Sequence, residues 1–142
     1  MKKCFYFCCW LLVIGCADGE NEEIEINSPY AGNYEFSFHT YQFDPMGSPA
    51  NNHSWDSKSM GTLEAKSENI LVVKTNNVAD FEIEPDDNKE FSSKYEIFES
   101  GTKVYIEIEG KFDSLNNLSV RYIHAYANSS QQTHTITGIK TD

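Results

Sequence analysis

The chain has 142 residues, with 22 acidic side chains against 11 basic ones and a formal charge of −11. Such a surface repels phosphate, which argues against nucleic acid as a partner and against anionic lipid headgroups as a docking plane. The four cysteines (Cys4, Cys8, Cys9, Cys16) all fall within the first sixteen positions, so the rest of the chain has no disulfide, no thiolate nucleophile and no sulfur-bound zinc.

The chain opens with Lys2 and Lys3, followed by an unbroken apolar run from Phe5 to Ile14. A charged start followed by an apolar stretch of this length reads as an export signal. A membrane-spanning helix needs about 20 apolar residues, and this run is about half that. Residues 1–15 are therefore expected to be a leader that is removed. Its end, Val13-Ile14-Gly15-Cys16, resembles the lipobox of bacterial lipoproteins. The resemblance implies that the Cys16 thiol receives a diacylglyceryl group, that cleavage precedes Cys16, and that the new amine is acylated by a chain such as palmitate. Val13, Ile14 and Gly15 would be what the signal peptidase recognises. One acyl chain binds a membrane marginally and two or three hold firmly, so the body is expected to sit in water on a lipid anchor.

Residues 16–28 hold Asp18, Glu20, Glu22, Glu23 and Glu25 and no basic residue. Self-repulsion and scarce apolar content predict an extended acidic tether. The twelve residues after Cys16 would reach roughly 40 Å when stretched. Acidic residues directly after a lipid cysteine resemble the export tag of surface lipoproteins in the Bacteroidota. That likeness implies an outer-membrane address, displayed on the outer face. Ile24 and Ile26 are placed so that a strand could already start there. Without Lys2 and Lys3, nine basic residues face 22 acids, a formal charge of −13.

From Pro29 to Asp142 the pattern has period two. Tyr34, Phe36 and Phe38 alternate with polar residues, as in a half-buried strand. Tyr41 and Phe43 shift that parity, which predicts a β-bulge between His39 and Tyr41. Asp44 to Ser59 carries two prolines, a glycine and many polar residues, and reads as a long loop. Trp55, in that loop, is expected to plug one end of the core, with ligand contact as its other reading. Met60 to Lys66 and Asn69 to Thr75 predict a hairpin turning at Ser67-Glu68. Ile70 to Val73 is apolar on both faces, which predicts a central strand. Further strands are expected around Phe81–Ile83, Tyr95–Ile97, Val104–Ile108, Leu118–Tyr126 and Thr133–Lys140, with turns at Asn76-Asn77, Pro85 to Asn88, Ser100-Gly101 and Asn128 to Ser130. No segment shows helical periodicity.

About eight strands with short links predict one all-β domain, an antiparallel meander closed as a small barrel or stacked as a β-sandwich. Gly32-Asn33-Tyr34 resembles the Gly-x-Trp that opens lipocalins, with tyrosine in the tryptophan position. That likeness implies a lipocalin-like barrel and, with it, an apolar internal cavity for a small ligand. Asp113-Ser114-Leu115 resembles the short O-glycosylation site of the same phylum.

The chain offers little chemistry. His39, His53, His124 and His134 lack metal-ligand spacing, although His39 and His124 are placed to meet across a sheet. The turn Asp86 to Glu90 has oxygen ligands but no EF-hand frame. There is no G-x-S-x-G elbow and no phosphate-cradling glycine loop. No metal or cofactor is expected. The sequence thus predicts a non-enzymatic, lipid-anchored cell-envelope module that binds an extracellular ligand or an envelope protein through Tyr41, Phe43 and Trp55. A carrier with an internal cavity and a small hydrolase are the two other readings.

Overall fold

The computed structural model describes residues 27–142 except Met46, Ser48, Asn128 and Ser129. The export leader, the lipobox residues Val13, Ile14, Gly15 and Cys16, and the tether up to residue 26 lie outside the described residues.

Eight antiparallel strands run in chain order: β1 Gly32–Phe43, β2 His53–Ala65, β3 Leu71–Lys74, β4 Phe81–Ile83, β5 Glu90–Glu99, β6 Thr102–Ser114, β7 Asn117–Tyr126 and β8 Gln131–Lys140. They form one sheet in the order β4-β3-β2-β1-β8-β7-β6-β5. The meander curls until its edge strands, β4 and β5, stand side by side without a ladder. The molecule is an up-and-down β-barrel open along that seam, and the sandwich reading is excluded.

The interior follows from the alternation. Tyr34, Phe36 and Phe38 on β1, Val104, Ile106 and Ile108 on β6, and Leu118, Val120 and Tyr122 on β7 point inward and are buried. Phe81 reaches across from β4 to Tyr122 on β7, with ring centroids 5.4 Å apart, so side chains fill the middle of the barrel. Each such aromatic contributes about 2–3 kcal/mol by leaving water. Small residues make the room: Ser59 and Ser57 stand opposite Phe36 and Phe38 on β2. Phe36 also lies against Gly61 and Gly138.

The two ends differ. At the lower end, Tyr30 stacks on Phe112 at 4.0 Å, and the buried Tyr34 hydroxyl donates to the Tyr30 carbonyl at 2.9 Å. The C-terminus closes the same end, where Thr141 N–H donates to the Asn33 carbonyl and Asn33 N–H to the Asp142 carboxylate. At the upper end the wall is incomplete. On β2, β3 pairs only with Thr62–Ala65, so the upper part of β2 has a ladder on its β1 side alone.

Several local expectations are corrected. β1 has no bulge: its registers with β2 and β8 run without a shift. Thr40 carries the buried row onward, and Tyr41 and Phe43 simply face outward. Asp44 to Ser59 is only partly a loop. A 3-10 turn at Pro49–Asn51 precedes β2, which starts at His53. Ile70 to Val73 is not central: β3 has four residues and lies one strand from the sheet edge, while β1 and β8 hold the centre.

Candidate functional site

The upper end of the barrel is lined by polar and aromatic groups in place of aliphatic ones. Read across the ladders, Trp55, Thr40, His134 and Tyr122 form one row over β2, β1, β8 and β7. The row above it is His53, Gln42, Gln132 and His124. Both rows have the inward parity of Phe36 and Phe38.

The lower row forms a floor. Thr40 and His134 are 2% and 6% exposed. Their Oγ1 and Nδ1 atoms lie 2.9 Å apart, so each satisfies the other out of water. Tyr122 meets the imidazole edge-on at 5.8 Å. Burial lowers the His134 pKa, and His124 nearby adds to the effect. Burial also pushes the Tyr122 hydroxyl up to about 12, with help from Tyr95 and Glu99. The floor is therefore neutral near pH 7.

The upper row is reachable from solvent. His53 Nδ1–H donates to the Asn51 carbonyl at 2.9 Å, which sets the ring in place to stack on Trp55 at 5.1 Å with 26° between planes. Trp55 remains 38% exposed, so it does not plug the core as expected. The Gln132 amide donates to the Gln42 oxygen at 3.3 Å. Tyr126 donates to Glu99 at 2.9 Å. His124 Nε2 lies 3.5 Å from the same carboxylate but has no hydrogen bond of acceptable geometry, although the atom is buried.

The sequence-predicted residues fall on two faces. Trp55 looks inward over the floor. Tyr41 and Phe43 look outward, 44% and 40% exposed, so the three do not form one contact surface. Nor do His39 and His124 meet. His39 faces outward and contacts Asp56 at 2.7 Å, while His124 faces inward. The two histidines that do come near each other are His124 and His134, diagonal neighbours across the β7–β8 ladder. The sequence carries a signal for this, because each histidine sits on the apolar parity of its own strand.

A nucleophile needs access to substrate, and the Thr40–His134 pair is sealed from water. Among the described residues no three carboxylate or histidine side chains are grouped to hold a metal ion. Asp86, in the acidic turn, uses its carboxylate on the backbone N–H groups of Asn88 and Glu90. Asp113, Ser114 and Leu115 lie at the β6–β7 turn, where the Ser114 hydroxyl accepts from Asn116 N–H.

A broad hollow lies elsewhere. A groove of about 800 Å³ runs over the outer surface of β5 to β8, past Glu109, Lys111, Ser119, Arg121, Thr135 and Thr137. It is open to solvent, and its Arg121 is neutralised by Glu109 at 2.9 Å. A twisted sheet has such a concave outer face in any case. The upper end of the barrel is the better candidate, because burying polar groups there costs stability that an aliphatic layer would not.

No protein-family model matches the chain, and no curated protein matches it. Among solved structures, a redesigned β-barrel aligns with a TM-score of 0.41 at 10% identity, covering 80% of this chain and 93% of its own. An S-type phycobiliprotein lyase from Guillardia theta aligns with a TM-score of 0.39 at 8% identity, covering 80% of this chain and 89% of its own. Likenesses this distant carry no information about what the chain does.

Proposed function

We propose that the chain is a lipid-anchored bacterial cell-envelope protein whose barrel is a non-catalytic binding module, displayed on the outer membrane, with its ligand site at the upper end. The observation that carries this reading is the two-row layer built on Thr40, His134, Trp55 and Gln42. It is polar, costly to bury, and open where β3 and β4 fall short. The described chain starts at the opposite, sealed end, beside Phe112. A tether leading from Cys16 to residue 28 would enter there and leave the site pointing away from the membrane. The filled middle of the barrel disfavours a carrier with an enclosed apolar cavity, and the sealed Thr40–His134 pair disfavours a hydrolase.

Cells producing the full chain and fed a palmitate analogue test the anchor. The protein should take up label, and Cys16→Ala should not. Protease added to intact cells should then remove the barrel. Protection from protease would place the protein on the inner face, and absence of label on the wild type would remove the anchor.

A further inference from the structure

We propose that the upper end of the barrel binds a neutral saccharide, with the Trp55 indole as the surface on which a sugar ring lies. This rests on the reading of that end as the binding site. A sugar ring offers an apolar face of C–H groups and an edge of hydroxyls, so its receptor needs a flat aromatic plane with neutral donors and acceptors beside it. Both are present. Trp55 is partly exposed, and His53, itself fixed by the Asn51 carbonyl, backs it at 5.1 Å. Gln42 and Gln132 follow on the next two strands of the same row as His53. They span about 10 Å from β2 to β8, the reach of a short saccharide.

An amide donates and accepts, as a hydroxyl does. The two glutamines bond each other only at 3.3 Å, a long contact that a ligand hydroxyl can replace. His124 Nε2 adds a buried polar atom with no hydrogen-bond partner. It lies 3.5 Å from the Glu99 carboxylate without a hydrogen bond, and a ligand hydroxyl reaching it would supply the bond it lacks.

Charge and shape disfavour other ligands. The acidic surface repels sulfate, phosphate and uronate groups, and Lys58, Lys94, Lys103 and Arg121 are each committed to a carboxylate. A cationic ligand would want a free carboxylate, but Glu99 already accepts from Tyr126 and lies against His124. An acyl chain would need a shaft into the core, and the Thr40–His134–Tyr122 floor fills that path.

The test uses the full chain on an array of neutral gluco-, manno- and xylo-oligosaccharides, with sulfated and sialylated oligosaccharides, a mixed peptide pool and phosphatidylcholine vesicles beside them. Binding of at least one neutral oligosaccharide is expected. The bound sugar should shift tryptophan emission in the wild type and not in Trp55→Phe, because Trp55 is the one tryptophan that follows the leader. Trp55→Ala should weaken binding at least tenfold, and Gln42→Ala severalfold, with the far-UV spectrum of both variants unchanged. Failure of every neutral oligosaccharide at millimolar concentration overturns the proposal, as does binding that Trp55→Ala leaves intact. If the charged sugars, peptides or vesicles alone move Trp55 emission, the saccharide is wrong and the site stands. If nothing moves it, the saccharide proposal fails and the binding-site reading loses its first support.

Discussion

Thr40 and His134 face each other across the β1–β8 ladder, both buried, with Oγ1 and Nδ1 2.9 Å apart. This bond lets β1 keep its buried row past Phe38 without an aliphatic side chain. It also marks where the apolar core stops and the polar end begins.

Thr40→Val tests the energy of that bond. Valine keeps the shape and removes the hydroxyl, so the imidazole loses its partner out of water. A loss of about 1–3 kcal/mol is expected, read as a lower urea midpoint with an unchanged slope. Thr40→Ser keeps the hydroxyl and should retain most of the stability. A Thr40→Val variant as stable as the wild type would mean that the pair does not hold the floor together.

The same imidazole makes stability depend on pH. Burial, and then His124, hold the His134 pKa below its ordinary value of 6.5. The unfolded chain therefore binds this proton first as pH falls. Stability should be complete above about pH 6.5, should decline as pH drops through the unfolded value towards the lower folded one, and should level off below it. Urea midpoints between pH 8 and pH 5 should show the decline, and His134→Gln should flatten it. An equal slope in the variant would show that His134 does not carry the dependence.

At the alkaline limit the sign is reversed. Tyr34 is buried beside Asp142 and Tyr30, and its hydroxyl is pushed up to about 12. A raised folded pKa gives stability that is whole below the unfolded value of about 10 and is lost as pH climbs through the folded one. Tyr34→Phe should be less stable at pH 7, because the Tyr30 carbonyl loses its donor at 2.9 Å. It should also fall less steeply above pH 10, as circular dichroism across that range would record.

Parts of this molecule were legible in the sequence for a plain reason. Val104, Ile106 and Ile108 alternate with polar residues because one face of β6 meets the core and the other meets water. The upper half of β2 was not legible. His53 to Ser59 looks like a loop because its inward residues are Ser57 and Ser59, which yield space to Phe36 and Phe38, and His53 and a partly exposed Trp55, which stack on each other. β1 misled in the opposite way. Tyr41 and Phe43 are apolar yet outward, so hydrophobicity alone suggested a change of register. The site was half visible. Trp55 stands out in the sequence, but its row-mates Thr40 and His134 lie 94 residues apart, and only the closure of β1 onto β8 brings them together.

Trp55 should matter less to the fold than the core aromatics do. It is 38% exposed and rests on His53, so Trp55→Ala uncovers less apolar surface than a core aromatic would and should cost about 1–2 kcal/mol. Phe36→Ala, at a fully buried ring, should cost about 3–5 kcal/mol. Paired urea titrations decide the matter. A Trp55→Ala loss as large as that of Phe36→Ala would return Trp55 to the core.

Gly138 gives the sharpest test of packing. A Cβ there would lie 2.8 Å from Phe36 Cε1 and 3.2 Å from Tyr34 Cδ1, and both rings are fully buried. Its backbone is ordinary strand, so alanine would bring a small gain of about 0.4–1 kcal/mol from the unfolded state. Overpacking a core costs about 1–3 kcal/mol, so the clash should win and Gly138→Ala should be destabilising. Phe36→Leu, which pulls the ring atoms away, should recover part of that loss in the double variant. The two changes should therefore be coupled by about 1 kcal/mol in a thermodynamic cycle. Simple additivity would mean that the Phe36 ring can turn aside from Gly138 and that the barrel interior is looser than its geometry implies.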